Sequence, residues 1–454
     1  MRSFYLTLIV IHLSINQSFT QQARAWNNWH FGWFASMTFD SGTPVETLGS
    51  GMISEEGCAT YSDNNGQLLF YTNGGKGDDP NSPVPGAVWN RNHQIMPNGN
   101  LIYNAGCSSS PQSSLIIPKS GTTTLYYLYT MGCQSSMSGL RESIIDMSLD
   151  NGLGDVSQVG TQISSATSLS EGLTATRHAN GIDYWIITHS NAGNEFYVYP
   201  HTLTGIGTPT TYSAGNGTDI YGQLKISASG NVLACGQEVF DFNNATGAVT
   251  NPRSIGRSAW GRSFSPSGRY LYVSGALGVG NIYQYDLQSS NLAASEIAIA
   301  GGGIFSGPMQ LGPDGKIYVC IYGQQSVSVI NSPENPGMAS NFVLYQVPLT
   351  HSTQLSMPNF IDSYYYDLQT TSVSIDENNF SFDLYPNPAS SSFTLKSDVA
   401  IHAICICSIT GAVLKNIDSN AFSTEIDVTD LSSGTYFVIV DSEKGRNIKE
   451  LIVH

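Results

Sequence analysis

Along most of the chain a short polar turn carrying glycine is followed by a strand of aromatic and β-branched residues, and the unit recurs. Asp63-Asn64-Asn65-Gly66 precedes the apolar run 68–72, Lys119-Ser120-Gly121 precedes 124–130, and Ala179-Asn180-Gly181 precedes 183–188. Ser229-Gly230, Ser265-Pro266-Ser267-Gly268 and Gly312-Pro313-Asp314-Gly315 lead in the same way into 231–235, 269–275 and 316–320. The turn glycines lie 55, 60, 49, 38 and 47 residues apart, close to the period of about 40–50 residues of propeller blades. Glycine suits these turns because a tight hairpin demands positive φ, which a Cβ penalises.

Each unit has further strands in matching places. Inner strands at 57–62, 114–118 and 222–228 come before the turn, and third strands at 88–91, 142–147, 195–199, 238–242, 281–287 and 326–330 come after the second. Asp150-Asn151-Gly152 and Asn244-Ala245-Thr246-Gly247 are turns leading to a fourth strand. Four short antiparallel strands per repeat make a propeller blade, a radial arrangement that protects sheet edges. Residues 358–361 read as a last inner strand without a hairpin partner, and 28–32 and 36–39 read as second and third strands lacking a first. Joining them into one composite blade predicts seven blades, with six or eight as the alternatives. The repeat stops near Leu368, and 380–454 offers six or seven short strands at the spacing of a small immunoglobulin-like β-sandwich. The predicted fold is therefore all-β: a seven-bladed β-propeller over 21–368, a polar linker at 369–379 and a sandwich over 380–454.

Composition narrows the partners. The chain has 454 residues with 34 acidic against 18 basic, a formal charge of −16, the wrong sign for gripping a phosphate backbone. No nucleic acid is expected. Charged residues are only 11 % of the chain, with 46 Gly and 24 Tyr, a balance that favours turns and strands over salt-bridged helices.

Met1 and Arg2 precede an apolar run from Phe4 to Ile15, followed by the small-x-small site Ser18-Phe19-Thr20. That pattern predicts a secretory signal peptide over 1–20, cut before Gln21. The run is too short to span a bilayer, and no later stretch approaches 18 apolar residues, so no transmembrane segment is expected after its removal. Export permits disulfides, but seven cysteines across so long a chain are not a disulfide framework. Cys107 and Cys133 flank the Gly121 hairpin at comparable distances, which makes them the candidate disulfide. Cys235 and Cys320 each follow their turn glycine by five residues and are expected as buried thiols, and Cys405 and Cys407 share one face of a strand.

Leu384-Tyr385-Pro386-Asn387-Pro388-Ala389, then Gly411 and Leu414, then Leu431-Ser432-Ser433-Gly434-Thr435-Tyr436-Phe437 and a closing strand at 449–453 resemble the C-terminal sorting domain of the Bacteroidetes type IX secretion system. Tyr385, Pro386, Asn387, Pro388, Gly411, Gly434 and Tyr436 are the motif positions. The resemblance implies passage across the outer membrane by the type IX secretion machinery, and a secreted or cell-surface location. Residues 27–32, 54–60, 88–97, 178–189 and 357–361 resemble the secreted propellers, WD40-like or gliding-motility-associated, that accompany such domains. This second likeness implies fold and export and supplies little chemistry.

Glu56 and Glu171 each stand ten positions before a turn glycine, and Gln112 stands nine before Gly121. Those positions lie near one mouth of the central channel, where propellers present ligand-binding side chains. With Arg257 they form the candidate ligand-binding set. His178 and His189 flank one hairpin several residue pairs apart and cannot share a metal. Gly-x-Ser-x-Gly, a phosphate loop and His-Glu-x-x-His are all missing. No catalytic residue, metal or cofactor is expected. Trp29, Trp33, Trp89, Trp185 and Trp260 recur at strands, where blade packing explains them more simply than a sugar platform. The chain thus reads as an exported binding or interaction module for an unidentified surface glycan or protein. The alternatives are a propeller-fold glycoside hydrolase or lyase using mouth carboxylates, and a structural part of a gliding or adhesion apparatus.

Overall fold

The structure, a computed structural model, describes residues 24–75, 86–104, 107, 109–133, 139–163, 169–218, 222–275, 280–301, 304–365, 380–408, 413–442 and 445–454. The expected leader at 1–20, the linker at 369–379 and Gly411 lie outside them. The chain divides into two compact units, Met1–Thr370 and Thr371–His454.

Among the described residues the first unit contains seven sheets. Blade 1 is three-stranded: Asn28–Phe31, Ala35–Thr38 and Val45–Glu46. Blade 2 is built from Gly57–Ser62, Leu68–Thr72 and Val88–Asn90, and blade 3 from Ser114–Pro118, Leu125–Met131, Leu140–Asp146 and Asp155–Gln162. Blade 4 comprises Leu169–Arg177, Tyr184–Ser190 and Glu195–Thr202, with Gly205–Ile206 and Thr210–Ser213 both pairing the third strand. Blades 5 to 7 are four-stranded and begin with Lys225–Ile226, Ala259–Phe264 and Ser306–Leu311. The first strands of blades 2 to 7 contact one another in order, and Met357–Pro358 lies between blade 7 and blade 2, so the inner strands form a closed ring. This is a seven-bladed β-propeller.

All six turn glycines have positive φ, from 70° at Gly230 to 86° at Gly66. The glycine spacing therefore reflects a backbone requirement of the hairpins.

The ring closes differently from the composite blade that the sequence suggests. Met357–Pro358 runs beside Asn28–Phe31, but its hydrogen-bonded register is parallel to Gly57–Ser62, with Met357 opposite Gly57 and Pro358 opposite Cys58. The Asn359 N–H continues that ladder to the Cys58 carbonyl at 2.9 Å. Pro358 brings no N–H, and the edge of the blade 2 strand offers acceptors that would otherwise stay unpaired near the axis. Aromatic packing completes the closure. Trp29 meets Tyr318 of blade 7 edge-on at 5.3 Å and Phe360 at 5.5 Å, and Trp26 packs on Phe360, Tyr364 and Tyr61 at 4.9 to 5.3 Å. Trp29, Trp89 and Trp260 are buried in blade packing, whereas Trp33 is 47 % exposed.

The second unit is a sandwich of two sheets. One has Phe382–Tyr385, Ser392–Ser397 and Ser423–Asp427, the other Val413–Asp418, Ile401–Ser408, Gly434–Ser442 and Gly445–Val453. Phe382, Phe393 and Ile426 from the first sheet and Ile404, Val438 and Leu451 from the second share one buried core, as alternating inward residues of two facing sheets should.

Candidate functional site

The starts of the inner strands gather at one end of the ring. A strand at the axis presents backbone groups with no neighbour to pair with, and buried orphans of this kind are costly. Side-chain amides meet the need. The Gln112 Oε1 accepts from the Leu173 and Leu224 N–H groups at 3.2 and 2.7 Å, and its Nε2 donates to the Leu224 carbonyl at 2.9 Å and the Asn359 Oδ1 at 3.2 Å. Blades 3, 4 and 5 and the closing strand are thereby tied together. Gln223 repeats the device between blades 5, 6 and 7, accepting from the Arg262 and Met309 N–H groups, both at 2.9 Å, and donating to the Met309 carbonyl at 3.2 Å. The Asn359 amide donates to the Ser114 and Leu173 carbonyls at 3.1 and 2.8 Å. All three amides are buried. Arg262, also fully buried, donates to the Gly236 carbonyl at 2.6 Å, and burial draws its guanidinium down to about 10.

The candidate set separates against this frame. Gln112 has its amide committed to the axis. Glu56 and Glu171 are half-buried at the starts of the blade 2 and blade 4 inner strands, at that same end, and the Glu171 carbonyl accepts from the Ser110 hydroxyl at 3.1 Å. Arg257 is not with them. It sits at the outer side of blade 6, forked onto Glu296 at 2.7 and 2.8 Å and 3.8 Å above the Tyr283 ring, with Glu296 holding it charged. Counting from a turn glycine aligns the two glutamates at ten residues; Arg257, eleven before Gly268, is close in that count, but its side chain is drawn to Glu296 and Tyr283.

The histidines stay apart. The His178 N–H bonds the Asp183 carbonyl at the hairpin turn, while His189 is buried opposite Phe196, where desolvation lowers its pKa. Among the described residues no three His, Cys, Asp or Glu side chains converge. Cys107 and Cys133 are joined by a disulfide with Cα atoms 5.4 Å apart. Cys235 and Cys320 are buried thiols; desolvation pushes Cys235 up to about 12 and raises Cys320 further.

At the opposite end, where inner strands turn into second strands, the hairpins of blades 2, 3 and 4 enclose a cleft of about 530 Å³. Tyr61, Tyr126 and Tyr184 wall it, and Asp63, Asn65 and Lys119 stand at its rim with Thr122 and Ile182. The rim is held by its own turn chemistry. The Asp63 carboxylate accepts from the Asn65 and Gln67 N–H groups at 2.8 and 2.9 Å, and the Asn180 Oδ1 accepts from Ile182 and Asp183, both at 3.0 Å. Tyr61 and Tyr126 pack at 4.9 Å, the Tyr126 hydroxyl donates to the Thr123 carbonyl at 3.1 Å, and the Tyr184 and Tyr364 hydroxyls touch. Burial, then the Asp63 charge, pushes the Tyr126 phenol up to about 12, and burial raises Tyr61 and Tyr184 as well. The wall therefore stays neutral through the physiological range. Tyrosines beside the turns of three successive hairpins are the sequence signal for this cleft; each also reads as ordinary strand core.

In the second unit the Asn387 amide donates to the Glu450 carbonyl at 2.7 Å and its oxygen accepts from the Ile452 N–H at 2.8 Å. Gly434 pairs with Val453, and the Tyr436 hydroxyl donates to the Ser432 carbonyl at 2.6 Å. Asn387 and the Gly434–Tyr436 segment thus bind the final strand into the sheet. Tyr385 is half exposed.

Residues 383–454 match the family described as secretion system C-terminal sorting domain. The chain therefore carries a type IX sorting domain, which directs it to the cell surface or the medium through the type IX machinery. No curated protein matches the sequence. Among solved structures the chain is similar to a candidate 6-phosphogluconolactonase from Bacteroides fragilis, at 11 % identity and TM-score 0.48 over 73 % of this chain and 97 % of that one. It is also similar to PorZ, a bacterial surface component of the type IX secretion system of Porphyromonas gingivalis, at 13 % identity and TM-score 0.30 over 75 % of this chain and 51 % of that one. TolB from Acinetobacter baumannii is similar at 10 % identity and TM-score 0.31, over 55 % and 58 % of the two chains.

Proposed function

We propose that the exported chain, freed of residues 1–20, is a binding module that takes a neutral, hydroxyl-rich ligand of the surface-glycan class in the cleft between the hairpin turns of blades 2, 3 and 4. The observation that carries this reading is the convergence of three neutral tyrosines and a rim of amide, hydroxyl and single charged groups on one cleft of about 530 Å³. Concave sites with an aromatic wall and a few fixed polar groups suit such ligands. The half-buried Glu56 and Glu171 stand at the other end, beside a Gln112 whose hydrogen bonds are already taken.

The test is a glycan array with the full exported chain, followed by calorimetry on the best glycan. Replacing the rim groups together, Asn65→Ala with Lys119→Ala and Thr122→Ala, is expected to weaken binding at least about tenfold, or roughly 1.4 kcal/mol. Glu56→Ala with Glu171→Ala should leave it unchanged. Binding lost only in the glutamate pair would move the site to the far end and reopen the glycosidase or lyase reading. Silence on every glycan would overturn the carbohydrate class.

A further inference from the structure

Three fully buried polar side chains meet near the propeller axis and bond chiefly to one another. Lys225 comes from the inner strand of blade 5, Gln310 from that of blade 7, and Asp362 from the segment after the closing strand; they are 1, 0 and 3 % exposed. The Lys225 Nζ donates to the Gln310 Oε1 at 2.6 Å and lies 3.5 Å from the Asp362 Oδ2. The Gln310 Nε2 donates to the Asp362 Oδ1 at 2.7 Å and to the Leu311 carbonyl at 3.0 Å. Amine, carboxamide and carboxyl group therefore form a closed triangle from which water is excluded. The Tyr365 hydroxyl, buried and unpartnered, is close enough to feel the Asp362 charge.

We propose that Lys225 and Gln310 are joined by a self-catalysed isopeptide bond, with Asp362 as the proton relay. The distances select the electrophile. With a C=O bond of about 1.23 Å, an amine 2.6 Å from Oε1 is at most about 3.8 Å from the carboxamide carbon, near the attack separation of about 3–3.5 Å. The nearer Asp362 oxygen is 3.5 Å from the amine, so the Gln310 carboxamide is the acyl group held closer to it. Asp362 first takes a proton from the Lys225 ammonium, leaving a neutral amine and a neutral acid. Desolvation favours that state, lowering the pKa of Lys225 and raising that of Asp362. The amine then attacks, and the Nζ–Cδ bond forms. Asp362 passes its proton to Nε2 across their 2.7 Å contact, the Cδ–Nε2 bond breaks and ammonia leaves. The second amine proton returns to Asp362, so atoms and charge balance with no external reagent. A buried ion pair, whose desolvation opposes folding, is replaced by a neutral amide and a neutral acid, and blades 5 and 7 become covalently linked.

Peptide mapping by tandem mass spectrometry of the full exported chain, reduced and denatured, is the test. The expected result is a branched peptide joining Lys225 to Gln310 that is lighter than its parts by one ammonia. The branch must be located, because an amino-terminal glutamine can cyclise with the same loss. Asp362→Asn, which keeps the shape and one acceptor oxygen for the Gln310 amide but removes the relay, should give separate linear peptides. Linear Lys225 and Gln310 peptides from the wild-type chain would overturn the proposal, as would a branch from Lys225 to Asp362 with loss of water. The wild-type map decides between these outcomes even if the variant does not fold.

Discussion

Replacing Gln112 by leucine tests whether the axial amides hold the ring together. The volumes are similar, so the perturbation is chemical. Gln112→Leu strips partners from the Leu173 and Leu224 N–H groups, the Leu224 carbonyl and the Asn359 Oδ1. Leu173 and Leu224 are at most 1 % exposed, so water cannot replace what is lost. An orphaned buried donor costs about 1–3 kcal/mol; two of them give roughly 4 kcal/mol. Sparing the desolvation of the glutamine amide returns about 1 kcal/mol, for a net loss of about 3 kcal/mol. At about 2–4 °C per kcal/mol for a large domain, Tm should fall by roughly 6–12 °C. Denaturant unfolding followed by tryptophan fluorescence is the assay of choice. All six tryptophans lie between Trp26 and Trp260, so the signal reports the propeller and not the sandwich. The exposed Gln288 supplies the control, Gln288→Leu, expected within about 0.5 kcal/mol of wild type. A Gln112→Leu protein as stable as that control would refute the claim that the amides substitute for missing ladder bonds.

Other perturbations read other parts of the structure. Burial holds the His30 imidazole down at about 3, with His93 adding to the effect, and His201 at about 4. The unfolded chain binds those protons near the usual 6.5, so the neutral-histidine stability is complete above about pH 7 and is lost as pH falls towards 4 and 3. At about 1.36 kcal/mol per unit, each costs about 2 kcal/mol at pH 5, and a His30→Gln, His201→Gln pair should flatten the slope between pH 7 and 5 in denaturant titrations; an unchanged slope would sink this reading. Converting Cys107 and Cys133, 26 residues apart, to serine should lower stability by about 3 kcal/mol, seen as a shift in unfolding midpoint equal to that of the reduced wild type. In the sorting domain, Asn387→Ala removes both bonds to the last strand and should cost about 2 kcal/mol. Amide exchange at Ile452 should accelerate accordingly, and unchanged protection there would exclude the anchoring role.

What the linear chain determines by itself is local. The six glycines take positive φ because a hairpin demands it wherever its strands end up, and inner strands 57–62 and 114–118 appear where alternation and turns place them. The sorting domain is legible through its resemblance to a known family, carried by the prolines Pro386 and Pro388 and the strand that opens at Gly434. Glu56 and Glu171 could be matched by counting from their turns, because equivalent steps along equivalent strands reach the same end of the ring. What faces them could not, since Gln112 finds its partners in Leu224 and Asn359, 112 and 247 residues away. Met357 pairing with Gly57, the Lys225–Gln310–Asp362 triangle and the tyrosine cleft share that origin. Each joins groups from different blades, and closing the ring is what removes water from between them. Burial and orientation then decide whether an amide binds a ligand or replaces a missing backbone partner, and neither is a property of a residue and its chain neighbours alone.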